Sequence, residues 1–522
     1  MSSGYLQLAT AHLGEHSIRN AAIVSVLVVL VYRALKFLLA WRILGKAYEV
    51  NCCERPPMYP HKDPIFGIDI LFANIKSARN NRFISASAQR FQDLGANTYC
   101  TWIQGHQTIH TIEPENVKTI MATKWKDYSV HGRKPNLGRL LGRGIFVATG
   151  EDWSHARSLL RPNFAKDNVA DLDMLEGHLQ ELLKLLPRDP SQVVDMEKFF
   201  LRLTLDSATE FLFGHSTNTL AEPSDDDKAF SEAFRYALSS ISTQIRRGPL
   251  HPFYPKDHKF DEANKTIREF IGRYIDEALE RRRKINAGEI DKESEEANPQ
   301  RYYFLQEVTK VMDDREHICD EVLSMMAAGR DTTASLMASA FYTLSRRPDI
   351  WKKLQNEIQF LNGHPPSYQQ LRDLKYTKYI MNETLRMYPP IFSLGRRSLC
   401  DTILPTGGGA DGTSPIFVPK GCGVIYNTWA MHRRKDLYGE DADEFRPERW
   451  AEKRHGWDYV PFGGGPRICL GQQYALTEAM YMMVRLAQEY ASIVSADNNP
   501  WVEDIAITVS PKDGVNCRLT RA

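Results

Sequence analysis

Phe462-Gly463-Gly464-Gly465-Pro466-Arg467-Ile468-Cys469-Leu470-Gly471 is the stretch on which the reading of this chain turns. A single cysteine stands behind a glycine-rich turn and just before Gln472–Tyr490, whose apolar periodicity predicts a helix. A thiolate at a helix N-terminus meets the positive end of the dipole and unpaired N–H groups, which predicts a lowered pKa for Cys469. Gly463, Gly464 and Gly465 carry no side chains, so a flat, bulky object has room against the backbone. Gly471 lets the chain turn past the sulfur, and Arg467 supplies a fixed cation for an anionic group on the same object.

A flat, anionic, thiolate-ligated object is a description of haem, and thiolate is the axial ligand that favours O–O cleavage. The plain alternative is a structural cysteine behind a glycine turn. A phosphate-cradling loop would need a lysine or a dinucleotide spacing after a strand, and neither is present. The pattern F-x-x-G-x-R-x-C-x-G, at Phe462, Gly465, Arg467, Cys469 and Gly471, resembles the cytochrome P450 family of haem-thiolate monooxygenases. The resemblance implies haem b with Cys469 as its axial ligand. It also implies a mainly α fold with small β-sheets, preceded here by an N-terminal transmembrane helix.

Further motifs extend the resemblance. Trp153 and Arg157 lie four apart, on one helix face, so an indole N–H and a guanidinium can reach one carboxylate. The pair is similar to the family's W-x-x-x-R, which holds a haem propionate. Arg315–Arg347 predicts a long buried helix whose middle, Ala328-Gly329-Arg330-Asp331-Thr332-Thr333, places polar groups and glycine where they cost stability. A threonine hydroxyl bonding back four residues can open a local groove there. This matches A-G-x-D-T-T, implying that Asp331 and Thr332 relay the protons by which one atom of O2 leaves as water. Glu383 and Arg386 match E-x-x-R, with Arg449 as the expected third member of a buried structural brace and Trp450 standing where the family has phenylalanine. After Pro389-Pro390 the chain is expected to run extended, with Ile391, Phe392 and Leu394 toward substrate and either Arg396 or Arg397 at the second propionate.

Composition sets the frame. With 66 basic and 65 acidic residues, nothing argues for a nucleic-acid footprint. The eight cysteines form neither a zinc pattern nor a dense disulfide framework, which predicts a reducing compartment for the catalytic part. Ala21–Trp41 is apolar for about the 20 residues that span a bilayer, interrupted by Arg33 and Lys36. Arg33, Lys36, Arg42 and Lys46 outnumber Arg19, placing the main body on the cytoplasmic side. The expected organisation is a lumenal tail (1–20), a single-pass anchor in the endoplasmic reticulum membrane (21–41), a proline-rich linker (42–64) and a catalytic domain (65–522).

No flavin or nicotinamide module is recognisable, so the resemblance implies an NADPH-cytochrome P450 reductase as partner, with O2 and a small apolar substrate. Gly142–Phe146 (GRGIF) and Cys469–Ala479 (CLGQQYALTEA) resemble the fungal branch that hydroxylates alkanes and fatty acids near the terminal carbon. Gly463, where that branch has asparagine, and Phe392 and Leu394 depart from it. Oxidation of a fungal secondary metabolite or xenobiotic is the alternative within the family. A haem isomerase or dehydratase, or a haem sensor, would need no Asp331–Thr332 relay.

Overall fold

A 30-residue helix, Arg315–Leu344 (α6), forms the axis of the molecule. The computed structural model describes residues 20–522 except 22, 26, 30, 33, 36–37, 40–41, 64–66, 104–105, 165–170, 248–250, 252–253 and 290–303. Asp314 caps α6 by accepting from the His317 N–H. Its apolar residues fall on every face, which is why it can only exist enclosed. The elements around it are α1 (Lys134–Leu141), α2 (Gly150–Leu160), α3 (Met196–Phe213), α4 (Asp225–Arg247), α5 (His258–Asn286), α7 (Lys375–Met387) and α8 (Gln472–Glu489). α3, α7 and α8 pack directly on α6, so the helix after the cysteine and the helix of the Glu383–Arg386 pair share one core.

The β structure is small and peripheral, as expected. Strands β1 (Thr98–Ile103), β2 (His106–Thr111), β3 (Tyr128–Ser129), β4 (Ser393–Ser398) and β5 (Gly423–Asn427) form a sheet in the order β1-β2-β5-β4-β3. β2 and β5 run parallel and the other pairs antiparallel. Register places Arg396 opposite Val424 and Arg397 opposite Gly423, which turns the two arginines to opposite faces of β4. The glycine-rich insertion is a hairpin of Thr402–Gly408 against Ser414–Val418.

No helix among the described residues is long and apolar enough to cross a membrane. Residues 1–19 of the expected tail, and Arg33, Lys36 and Trp41 of the expected anchor, lie outside the described residues. The described apolar residues of that segment, from Ile23 to Leu39, are exposed. The segment 42–64 is no free hinge: its first turns are helical, Leu44, Tyr48 and Cys53 are buried against Ile109, Phe417 and Val424, and Met58 bridges to Cys100 of β1.

Candidate active site

The cysteine loop is held by main-chain bonds. The Cys469 N–H donates to the Phe462 carbonyl at 3.0 Å and the Ile468 N–H to that of Gly465 at 3.1 Å. A Cβ on Gly465, whose φ is +64°, would meet the Met121 carbonyl oxygen at 2.0 Å, and one on Gly464 would meet the Trp457 ring at 2.5 Å. On their Cβ side these two glycines are thus packed by protein, by a π-helical turn (Thr119–Thr123) and by Trp457, and neither can take a side chain. Gly471 is the N-cap of α8, with Phe164 at ordinary contact. Phe462 packs against the main core.

The expected pKa of the cysteine also needs correction. Burial pushes the Cys469 thiol up, while the Gly471 N–H and Arg157 pull it down. Desolvation outweighs the helix terminus. Yet Cys469 keeps exposed surface.

Around this loop, cations gather without anions among the described residues. Trp153, buried, lies between the guanidinium of Arg467, 4.3 Å from its ring centroid, and that of Arg157, at 5.7 Å. Arg157 donates to the Ile468 carbonyl at 2.9 Å and Arg467 to that of Ala148 at 3.1 Å. Burial, then Arg396, Arg133 and Arg157, push the Arg467 pKa down to about 9. Burial and Arg396 push Arg133 down to about 10. Arg396 therefore belongs to the cluster, whereas Arg397 is exposed and donates to the Gly421 carbonyl. Arg133 was not foreseen, because no motif surrounds it. Four mutually repelling guanidinium groups fit a dianionic group such as the two propionates of haem.

α6 runs unbroken through the polar stretch, which differs from its surroundings in exposure. Residues on both sides are buried, but Ala327–Gly329, Asp331 and Thr332 keep accessible surface, and a Cβ on Gly329 would meet nothing within 4 Å. The Thr332 hydroxyl donates to the Ala328 carbonyl at 2.6 Å, the back-bond expected from the sequence. Asp331 accepts from Arg330 at 2.9 Å. Burial raises its pKa and Arg330 opposes the rise. Burial thus favours the protonated form of this carboxyl and the Arg330 guanidinium the ionised one.

The brace closes on itself. Glu383 and Arg386 pair through two bonds of 2.8 Å, and both are fully buried. Arg449 Nε adds 2.9 Å to Glu383 Oε1, and the Trp450 indole N–H adds 3.0 Å to Oε2. Arg386 also donates to the carbonyls of His432, Ala442 and Glu444. Of the expected substrate-lining residues, Phe392 meets the Phe83 ring edge-on at 6.0 Å and Leu394 packs by Phe91 and Tyr99. Both are engaged in the small clusters behind β4, and Ile391 is half-buried.

The comparisons with known proteins agree with this geometry. A model of the cytochrome P450 family matches residues 59–517. The chain belongs to the cytochrome P450 family. Cytochrome P450 monooxygenase himC of Aspergillus japonicus is 48% identical over 471 residues, 90% of this chain and 84% of that protein. Cytochrome P450 monooxygenase fsdH of Fusarium heterosporum is 47% identical, over 89% of this chain and 82% of that one. Cytochrome P450 52A3-A of Candida maltosa is 37% identical, over 92% and 94%. The protein is accordingly a P450 monooxygenase, whose cofactor is haem with a cysteine thiolate as axial ligand, and which uses O2 and electrons from a redox partner.

Proposed function

We propose that this P450 hydroxylates a long-chain alkane or fatty acid near its terminal carbon. Electrons come from an NADPH-cytochrome P450 reductase, and the enzyme is held by its N-terminus at the endoplasmic reticulum membrane. The observation that carries the site assignment is the cluster of Arg133, Arg157, Arg396 and Arg467 by Trp153 and the cysteine loop, where among the described residues no acid pairs with any of the four cations. Haem, when bound, supplies the iron at which O2 is activated. Cys469 ligates it, and Arg467, Arg157, Arg396 and Arg133 hold the propionates. Phe462, Gly465 and Gly471 shape the loop that presents the sulfur.

Asp331 and Thr332 hold and pass the protons that turn one oxygen atom into water. The Thr332 back-bond keeps the Ala328 carbonyl occupied and the groove open. Arg330 orients the Asp331 carboxyl. Ile391 and Phe392, just before β4, and Leu394 on it border the substrate. The exposed apolar residues Ile23–Leu39 support the membrane anchor.

The GRGIF and CLGQQYALTEA stretches and the likeness to P450 52A3-A support the alkane and fatty-acid class. A second reading, oxidation of a fungal secondary metabolite, is favoured by Gly463, Phe392 and Leu394. The test is a panel of C8–C18 alkanes and fatty acids with reductase and NADPH, products being identified by mass spectrometry. Terminal or near-terminal alcohols, with NADPH consumption that needs both substrate and reductase, are expected. No turnover of any panel member overturns the substrate class.

A further inference from the structure

The segment Arg133–Ala148 is a strap that runs between the arginine cluster and α6. Its first residue, Arg133, is a member of that cluster, and its last, Ala148, is tied to it by accepting from Arg467 at 3.1 Å. Between them, α1 and the Gly142–Val147 turn reach across to the first turns of α6. There the contact is made by two adjacent buried acids. Asp320 accepts from the Arg143 N–H at 2.8 Å and Glu321 from the Ile145 N–H at 3.0 Å. The approach is as close as backbone allows. A Cβ on Gly142, whose φ is +49°, would meet the Asp320 carboxylate at 2.1 Å, and one on Gly144 would meet the Ser324 hydroxyl at 2.2 Å.

The acids are themselves fixed. Arg268 of α5 donates to Asp320 at 2.7 Å and to the Leu140 carbonyl at 3.2 Å, so α5, α6 and the strap meet at one carboxylate. His317, one turn before Glu321, lies 3.4 Å from its other oxygen. Charged acceptors bonded to backbone N–H groups are the stronger kind of hydrogen bond. Removing one buried acceptor leaves an N–H with nothing to meet.

We infer that Asp320 and Glu321 are positioning residues: by holding the strap against α6 they set the space in front of Gly329–Thr332 and hence the length of substrate accepted. Neither acid touches the reacting atoms. They lie about two to three turns before Gly329 on the same helix, and they act through the Arg143 and Ile145 main chain. The inference rests on the reading of Gly329–Thr332 as the oxygen side.

The test uses the full-length haem protein carrying Asp320→Asn or Glu321→Gln, and two probes that bind iron whatever the natural substrate: imidazole and 1-dodecylimidazole. The thiolate-type spectrum of the reduced CO complex and the affinity for imidazole are expected to stay as in the unsubstituted protein. The affinity for 1-dodecylimidazole is expected to fall about tenfold, the loss that one charged hydrogen bond predicts. Unchanged or tighter binding of the long probe overturns the inference. Where Asp320→Asn yields no haem protein, Arg268→Gln removes a bond from the same carboxylate and carries the same readout. With dodecanoic acid, a shifted ratio of hydroxylated positions is expected as well. If the unsubstituted enzyme leaves that acid untouched, the substrate class fails while the imidazole pair still decides about the strap.

Discussion

Two groups of buried charge lie on this molecule, and they are built in opposite ways. Around Glu383, two arginines, an indole N–H and a main-chain N–H converge on one carboxylate, and the remaining guanidinium hydrogens find carbonyls. Near Trp153, Arg467 and Arg157 bond only to carbonyls, and burial together with neighbouring arginines lowers the pKa of Arg467 and of Arg133. A chain that can close one charge cluster so completely has no folding reason to leave another open. The closed cluster holds the fold, and the open one awaits an anion. Buried charges of one sign persist only where something outside the chain compensates them.

The sharpest way to break this contrast is Glu383→Gln, which leaves two buried guanidinium groups uncompensated. A loss of about 3–5 kcal/mol is expected in chemical denaturation, with little folded haem protein recovered. Cys469→Ala should abolish the thiolate-type spectrum of the reduced CO complex while chain stability without haem changes little. A retained spectrum refutes the ligand assignment. Arg467→Gln should speed haem transfer to an acceptor globin about tenfold or more, and should leave the stability of the haem-free chain unchanged or raised, since it removes repulsion. A haem-free chain clearly weakened by this change would place Arg467 with the brace.

Glu478 is a third case, a buried acid with no cation bonded to it. Burial raises its pKa to about 7, against a bond from Ser207 and the nearby His178. Because the folded value lies above the unfolded one of about 4.3, the folded state binds more protons between them, and stability falls as pH rises from about 4.5 to 7. In Glu478→Gln that fall should flatten when denaturation midpoints are measured across the window. The smallest effect is expected from Trp450→Phe, which removes one indole bond to Glu383 and costs about 1 kcal/mol.

The sequence made the closed cluster more legible than the open one. Glu383, Arg386 and Arg449 sit in recognisable patterns, and their partners are mutual. Arg133 sits in no pattern, and its role emerges only when the turn after β3 brings it to Arg396. The choice between Arg396 and Arg397 was open in the sequence, since adjacent residues of a strand differ only by face, and register decides the face. The helix-terminus argument for Cys469 failed because it weighed a dipole without knowing the burial that opposes it. The packing of Met121 on Gly465 and of Trp457 on Gly464 was not legible either, since no local pattern pairs these residues. Asp320 and Glu321 carry no visible signal as acceptors, because acids near a helix start are ordinary on any surface.

The π-turn behind the cysteine loop has an asymmetric consequence for how this chain can vary. Gly465 meets Met121 through that residue's carbonyl oxygen, an atom every amino acid possesses. Drift at 121 therefore leaves that contact intact, whereas any side chain at 465 collides with main chain that cannot retreat. In a saturation library, position 465 should tolerate glycine alone while position 121 accepts several apolar replacements, although the two are touching neighbours.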